Sequence, residues 1–182
     1  VIKSQPQALL EALAPHENSQ VYFYRLRNVD RQAGFQEWTD VERAARFIYL
    51  NRTCFNGMCR MNKNGQFNMS YGFLKNPTIQ DAPTIWAAHK ALRTMRVGSA
   101  SFEEVLKLAR AGDFVYFDPP YVPLSPTAHF TAYTAGGFGL HRQRDLWRVC
   151  VKLHRKGVKW MVSNSHTPLV LDLWRSFRVS EI

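Results

Sequence analysis

Phe114-Val115-Tyr116-Phe117-Asp118-Pro119-Pro120-Tyr121 is the stretch that decides how this chain is read. Its first four residues form a short, fully apolar run that reads as a strand. The next four leave that strand at once. In an open α/β sheet, ligands bind at the carboxyl ends of strands. Two prolines in a row have fixed φ and no N–H, so the loop is stiff and its carbonyls are free to accept hydrogen bonds. Asp118 adds an acceptor and Tyr121 a flat stacking surface. A Pro-Pro turn with a surface Asp is also ordinary loop structure; its place at a strand end in a basic chain favours a site.

Working outward, the second half alternates helix and strand. Ser101 to Ala111 reads as a helix with Phe102, Val105, Leu106 and Ala109 on one face. Leu140 to Arg155 reads as a helix whose apolar stripe is Leu146, Trp147, Cys150, Val151 and His154, ended by Gly157. Val158 to Val162 is the next strand, and Thr167 caps a helix that has Pro168 at its first position. This order implies an α/β fold, a parallel sheet covered by helices.

Residues 1–90 have another texture and read as mainly helical. Val41, Ala44, Ala45 and Ile48 fall at i, i+3, i+4 and i+7, with Thr39 and Asp40 placed to cap. A hairpin is expected near 59–70, where two polar runs flank Lys63-Asn64-Gly65. Its Arg, Lys, Asn and Gln side chains are of the kind that read base edges. The expected division is therefore residues 1–90 and residues 91–182.

The 182 residues suit one domain or a domain with a small insert. A hydrophobic share of 46% is enough to bury a core. The formal charge of +10 and pI near 9.9 favour an anionic partner. Three cysteines without a CxxC pair point to reduced thiols in a cytosol and away from a zinc site or disulfide framework. No apolar run approaches the roughly 20 residues that cross a bilayer, and no secretory signal pattern opens the chain. A cytoplasmic protein is expected, with no membrane partner and an oligomeric state left open.

The run from Phe114 to Tyr133, FVYFDPPYVPLSPTAHFTAY, resembles the DNA adenine methylases of the Dam type, whose Asp-Pro-Pro-Tyr loop is followed by Pro-Leu-Ser and Phe-Thr-x-Tyr. Phe47 to Gly72 is similar to that family's target-recognition region, and Val162-Ser163-Asn164-Ser165 to its Ser-Asn strand end. The resemblance implies a Rossmann-like, S-adenosylmethionine-dependent methyltransferase sheet, present in part, with a helical target-recognition domain bearing a β-hairpin. It implies site-specific methylation of adenine N6 in double-stranded DNA, without a metal. Asp118, Pro119, Pro120 and Tyr121 become the catalytic set, and Asp118, Ser101 and Phe102 the donor-binding set. Phe102 reads either as a neighbour of the donor's adenosine or as the first core residue of its helix.

For DNA, the resemblance points to Arg52, Arg60, Met61, Asn62, Lys63 and Asn64. His129, Phe130, Thr131 and Tyr133 are expected to line the approach to the target pocket. Met61 reads as a wedge in the base stack or as packing beneath the hairpin. GATC-specific members carry Arg about where Asn64 stands, which leaves the target sequence open. The family's Phe-x-Gly-x-Gly donor loop has no counterpart: Gly136, Gly137 and Gly139 follow the catalytic loop and lack a preceding strand. An internal fragment of a longer enzyme is expected, with weak donor binding on its own. The alternatives are a non-catalytic or truncated DNA-binding module, a cytosine-N4 methyltransferase, whose members more often carry Ser in place of Asp118, and an RNA methyltransferase.

Overall fold

The computed structural model describes residues 1–124 and 138–181, and the chain forms two compact units, Val1–Gly98 and Ser99–Ile182. The first unit holds four helices: α1 (Pro6–Leu13), α2 (Gln20–Asn28), α3 (Asp40–Thr53) and α4 (Ala82–Leu92). Each of the last three starts at a side-chain cap, Ser19, Thr39 or Asp81. At α3 the cap is reciprocal: the Glu42 N–H donates to Thr39 Oγ1 at 3.3 Å and the Thr39 N–H to Glu42 Oε2 at 2.8 Å.

Helix α3 lies between two apolar clusters. Ala44, Ala45 and Ile48 join Leu9, Leu10 and Leu13 of α1 and Ile85 of α4. Tyr49, Leu50 and the adjoining Cys54 join Phe23 and Leu26 of α2 and Phe67, Met69 and Tyr71 of the segment beyond. The helix therefore buries a wider arc than the single face its spacing suggests, because it is packed on two sides.

The expected hairpin forms around a tight turn. The Gly65 N–H donates to the Asn62 carbonyl at 3.0 Å, and Gly65 takes φ +72°, the left-handed region that favours glycine. Two isolated antiparallel bridges, Met61 with Phe67 and Cys54 with Tyr71, pair its arms in place of continuous strands.

In the second unit, β1 (Phe114–Phe117) and β2 (Lys159–Val162) pair in parallel, Phe114 opposite Lys159 and Phe117 opposite Val162. Parallel neighbours need a crossover, and α6 (Leu140–Arg155) lies within it. Helix α7 (Pro168–Trp174) follows β2, capped by Thr167. Phe117, Leu146, Val149, Cys150, Leu153, Val158, Val170 and Trp174 form the core, with Val115, Trp160 and Val162 against it. The alternate residues of the sheet point away: Phe114, Tyr116 and Met161 are exposed by half or more. Only one face of this sheet is thus covered among the described residues.

Two expectations need correction here. The helix foreseen over 101–111 is a 3-10 turn, Phe102–Glu104, leading into one helical turn, α5 (Val105–Leu108). The Arg110 N–H donates to Asp113 Oδ2 at 2.8 Å, and Gly112, at φ +90°, donates to the Gly157 carbonyl at 3.0 Å. That turn chemistry displaces the helix, while Lys156 Nζ satisfies the carbonyls of Leu106 and Ala109. The buried stripe of α6 is also rotated. Leu146 and Cys150 are buried with Gln143, Val149 and Leu153, whereas Trp147 and Val151 flank the stripe and His154 is exposed. Packing on both β2 and α7 sets the angle that periodicity leaves open.

Candidate functional site

The parallel register brings the carboxyl ends of β1 and β2 to one edge. Asp118 leaves β1 there, exposed, beside Ser163-Asn164-Ser165 leaving β2. The Ser163 N–H donates to the Phe117 carbonyl at 3.1 Å, and its hydroxyl donates to Asp118 Oδ1 at 2.7 Å. Pro119 and Pro120 are half-buried and Tyr121 is exposed.

Beneath the loop, Gln143 of α6 donates through Nε2 to the Pro120 carbonyl at 3.0 Å. Its Oε1 accepts from Asn164 Nδ2 at 3.0 Å. Asn164 Oδ1 in turn accepts the N–H groups of Val122, at 3.0 Å, and Ser165, at 2.9 Å. None of the described residues donates to the Pro119 carbonyl. Among the described residues, the edge thus presents a carboxylate, a backbone acceptor without a donor and an aromatic ring on a braced loop. Such a set can accept two hydrogens from one nitrogen while a ring stacks alongside.

Ser101 and Phe102 belong to the same unit. Ser101 is exposed and hydrogen-bonds the Glu103 carboxylate. The Arg142 guanidinium of α6 lies 4.4 Å from the centroid of the Phe102 ring and 2.7 Å from Glu103 Oε1. Phe102 is half-buried, with the Phe138 ring 5.9 Å away. Partial burial raises the Glu103 carboxyl, but the Ser101 and Arg142 contacts outweigh it and leave the group below its usual range.

In the first unit, Arg60, Met61, Asn62, Lys63 and Asn64 share the hairpin. Lys63 and Asn64 are exposed at its tip, and Met61 is 47% exposed, so it does not pack beneath the turn. Asn62 is committed to the turn itself: Oδ1 accepts the Asn64 and Gln66 N–H groups, and Nδ2 donates to Gln66 Oε1 at 2.8 Å. Arg60 donates across the hairpin to the Asn68 carbonyl at 2.9 Å. Arg52 sits in the last turn of α3, 3.6 Å from Asp81 at the start of α4. His129, Phe130, Thr131 and Tyr133 lie outside the described residues.

Several residues that matter here are not among the expected site residues. Asp30 Oδ2 accepts the Phe67 N–H at 2.8 Å and pairs with Arg46 at 2.7 Å, both side chains being 7% exposed. Arg31 pairs with Asp30 at 2.5 Å and donates to the Phe67 carbonyl at 2.9 Å, and Arg27 donates to the Met69 carbonyl at 3.0 Å. The available signals were a charged Arg46 on a buried arc of α3 and a polar Gln143 within an apolar stripe.

No group of three or more His, Cys, Asp or Glu side chains is placed to hold a metal among the described residues. No helix among them is long and apolar enough to cross a membrane.

A family model described as D12 class N6 adenine-specific DNA methyltransferase matches residues 1–182. The Type II methyltransferase M1.LlaDCHI of Lactococcus lactis subsp. cremoris is 44% identical over 186 residues, which take in 100% of this chain and 65% of that relative. The Type II methyltransferase M.MjaIII of Methanocaldococcus jannaschii is 37% identical over 192 residues, 100% of this chain and 66% of that relative. A DNA adenine methylase of Vibrio cholerae is 32% identical over 187 residues, again 100% of this chain and 66% of the relative. The chain therefore spans just under two thirds of the length of these relatives.

Proposed function

The chain belongs to the D12 class N6 adenine-specific DNA methyltransferase family, and on that premise we propose that it serves the methylation of adenine N6 at a short site in double-stranded DNA, with S-adenosylmethionine as donor. The observation that carries this reading is the exposed Asp118 carboxylate at the strand end, hydrogen-bonded by Ser163 and followed by the Pro119 carbonyl, to which no described residue donates. The Ser99–Ile182 unit is read as part of a Rossmann-like catalytic sheet and the Val1–Gly98 unit as the target-recognition domain. The division between them falls after Gly98, eight residues beyond the expected one at 90, which would have cut α4.

The exocyclic nitrogen of adenine is a weak nucleophile because its lone pair is delocalised into the ring. Asp118 and the Pro119 carbonyl accept its two hydrogens, drawing the nitrogen towards tetrahedral geometry and localising the lone pair. Tyr121 stacks on the base, which must leave the duplex at a cost of roughly a few kcal/mol. Of the donor set, Asp118 offers a carboxylate to a cationic group, whereas the Ser101 hydroxyl is engaged by Glu103 and Arg142 lies over the Phe102 ring, so those two would meet the donor only through what these contacts leave open. S-adenosylmethionine supplies an electrophilic methyl group when bound. The protein's own share is positioning and electrostatics.

On the DNA side, Lys63 and Asn64 are read as the outermost contacts, with Arg60 and Met61 behind them and Asn62 shaping the turn. Arg52 is read as a phosphate contact.

Transfer of a labelled methyl group from S-adenosylmethionine to unmethylated duplex DNA, followed by nucleoside analysis, tests the proposal. N6-methyladenine that disappears in Asp118→Ala, with DNA binding retained, supports it. N4-methylcytosine would replace it with the cytosine reading, and DNA binding without any transfer with the binding-module reading.

A further inference from the structure

Gln143 is the most completely buried polar side chain on the catalytic side, 1% exposed in the first turns of α6. A buried amide is costly unless both its ends are paired. Here both are, and the partners are two loops rather than the helix. Nε2 reaches Pro120 and Oε1 reaches Asn164, which holds the Val122 N–H. The backbone is thus gripped on either side of Tyr121.

The prolines make this grip decisive. Pro119 and Pro120 have no N–H and cannot donate, and among the described residues the loop is held through the Pro120 carbonyl and the Val122 amide. The Pro119 and Pro120 carbonyls are separated by two torsions, φ and ψ of Pro120. The ring fixes φ, and the Gln143 hydrogen bond restrains ψ. Holding the Pro120 carbonyl inward therefore determines where the Pro119 carbonyl points.

Resting on the reading of Asp118–Tyr121 as the reaction centre, we propose that Gln143 is a positioning residue. Through Asn164 it locks the loop so that the Pro119 carbonyl faces the amino group of the target base. Leu or Met would fill the same apolar stripe; neither could hold the loop.

The test uses the full chain with Gln143→Leu, Gln143→Glu and Asp118→Ala. Three quantities are read: kcat and KM for DNA methylation, hydrogen exchange of the Val122 amide, and thermal unfolding. Gln143→Leu is expected to lower kcat about 100-fold, the cost of ångström-scale misplacement, with KM for DNA unchanged and Val122 exchange faster. In Gln143→Glu a neutral acid can donate to the Pro120 carbonyl and a carboxylate cannot, so its kcat relative to the parent should fall as pH rises. A packing role gives a flat ratio. Parent-like kcat and Val122 protection in a folded Gln143→Leu overturn the proposal, as does a flat Gln143→Glu ratio if the Leu variant does not fold. Methylation that survives in Asp118→Ala would instead sink the underlying reading of the loop. Where no transfer is seen at all, unchanged Val122 exchange in the Gln143 variants overturns the grip itself.

Discussion

The hydroxyl of Ser163 donates to the carboxylate of Asp118 at 2.7 Å, joining the ends of two parallel strands through side chains just beyond their last backbone pair. One carboxylate oxygen is thereby engaged from the β2 side. Ser163→Ala should keep the fold and DNA affinity while lowering methyl transfer about fivefold to tenfold. That is the effect of about 1 kcal/mol of lost hydrogen bonding at an exposed site that water can partly refill. Steady-state kinetics check this, and an unchanged kcat would show that Asp118 needs no such restraint.

Asp30 should act on stability. Asp30→Ala leaves the Arg46 guanidinium buried without its counter-charge, although it keeps donors to the Leu26 and Arg27 carbonyls. Removing one partner of a buried pair costs about 3–5 kcal/mol, and the retained bonds favour the lower end. Asp30→Asn keeps an acceptor for the Phe67 N–H and should lose less. Urea unfolding measures both, and equal losses would mean that the lost charge, and not the acceptor for the Phe67 N–H, is the cause.

At the hairpin tip, Lys63→Ala should weaken DNA binding with a salt slope shallower by about 0.9, the loss of one phosphate contact. A binding titration over several salt concentrations reads this. An unchanged slope with altered sequence preference would reassign Lys63 to a base edge.

His16 gives the first unit a pH dependence. Burial lowers its pKa from the usual 6.5, its Nδ1 lies 2.7 Å from the Tyr22 hydroxyl, and its ring lies 4.8 Å from that of Tyr49. The unfolded chain therefore takes up the proton more readily than the folded one. Stability is complete above 6.5 and declines as pH falls through the lowered folded value. Glu42 and Asp81, both held below their usual range by hydrogen bonds at helix caps, act in a more acidic window. Unfolding midpoints measured from neutral pH down to about 5 should fall, and His16→Gln should flatten that fall. An identical slope in the variant would place the effect elsewhere.

The thiols should separate by accessibility. Cys59 is exposed, while burial raises the Cys54 thiol and pushes the Cys150 thiol up to about 12. Alkylation of the native chain at mildly basic pH should label Cys59 first and Cys150 only on unfolding. Mass spectrometry of the labelled peptides tests the order.

The candidate loop Asp118–Tyr121 stands out in the sequence because everything that marks it is local: an apolar strand, two prolines and the residues beside them. The capped starts of α3 and α7 were readable for the same reason. Gln143 was not, because its partners Pro120 and Asn164 lie 23 and 21 residues away and a Gln near a helix start looks like a solvated one. The early end of α5 was hidden too, since Lys156 and Gly157 from the far side of α6 enforce it. An apolar strand could not reveal that Phe114 and Tyr116 face outward, because periodicity does not say how many sides are covered.

The hairpin is fastened away from its tip, by the buried Phe67 and Met69 side chains and by Asp30, Arg31 and Arg27, which grip the N–H and carbonyl groups of those two residues and leave the tip side chains alone. Main-chain groups are the same whatever residue carries them. Lys63 and Asn64 can therefore drift by mutation without loosening the support beneath them. On the proposed reading of the tip as the DNA contact, a lineage built this way can acquire new target preferences in small steps, each variant still folding while its choice of DNA changes.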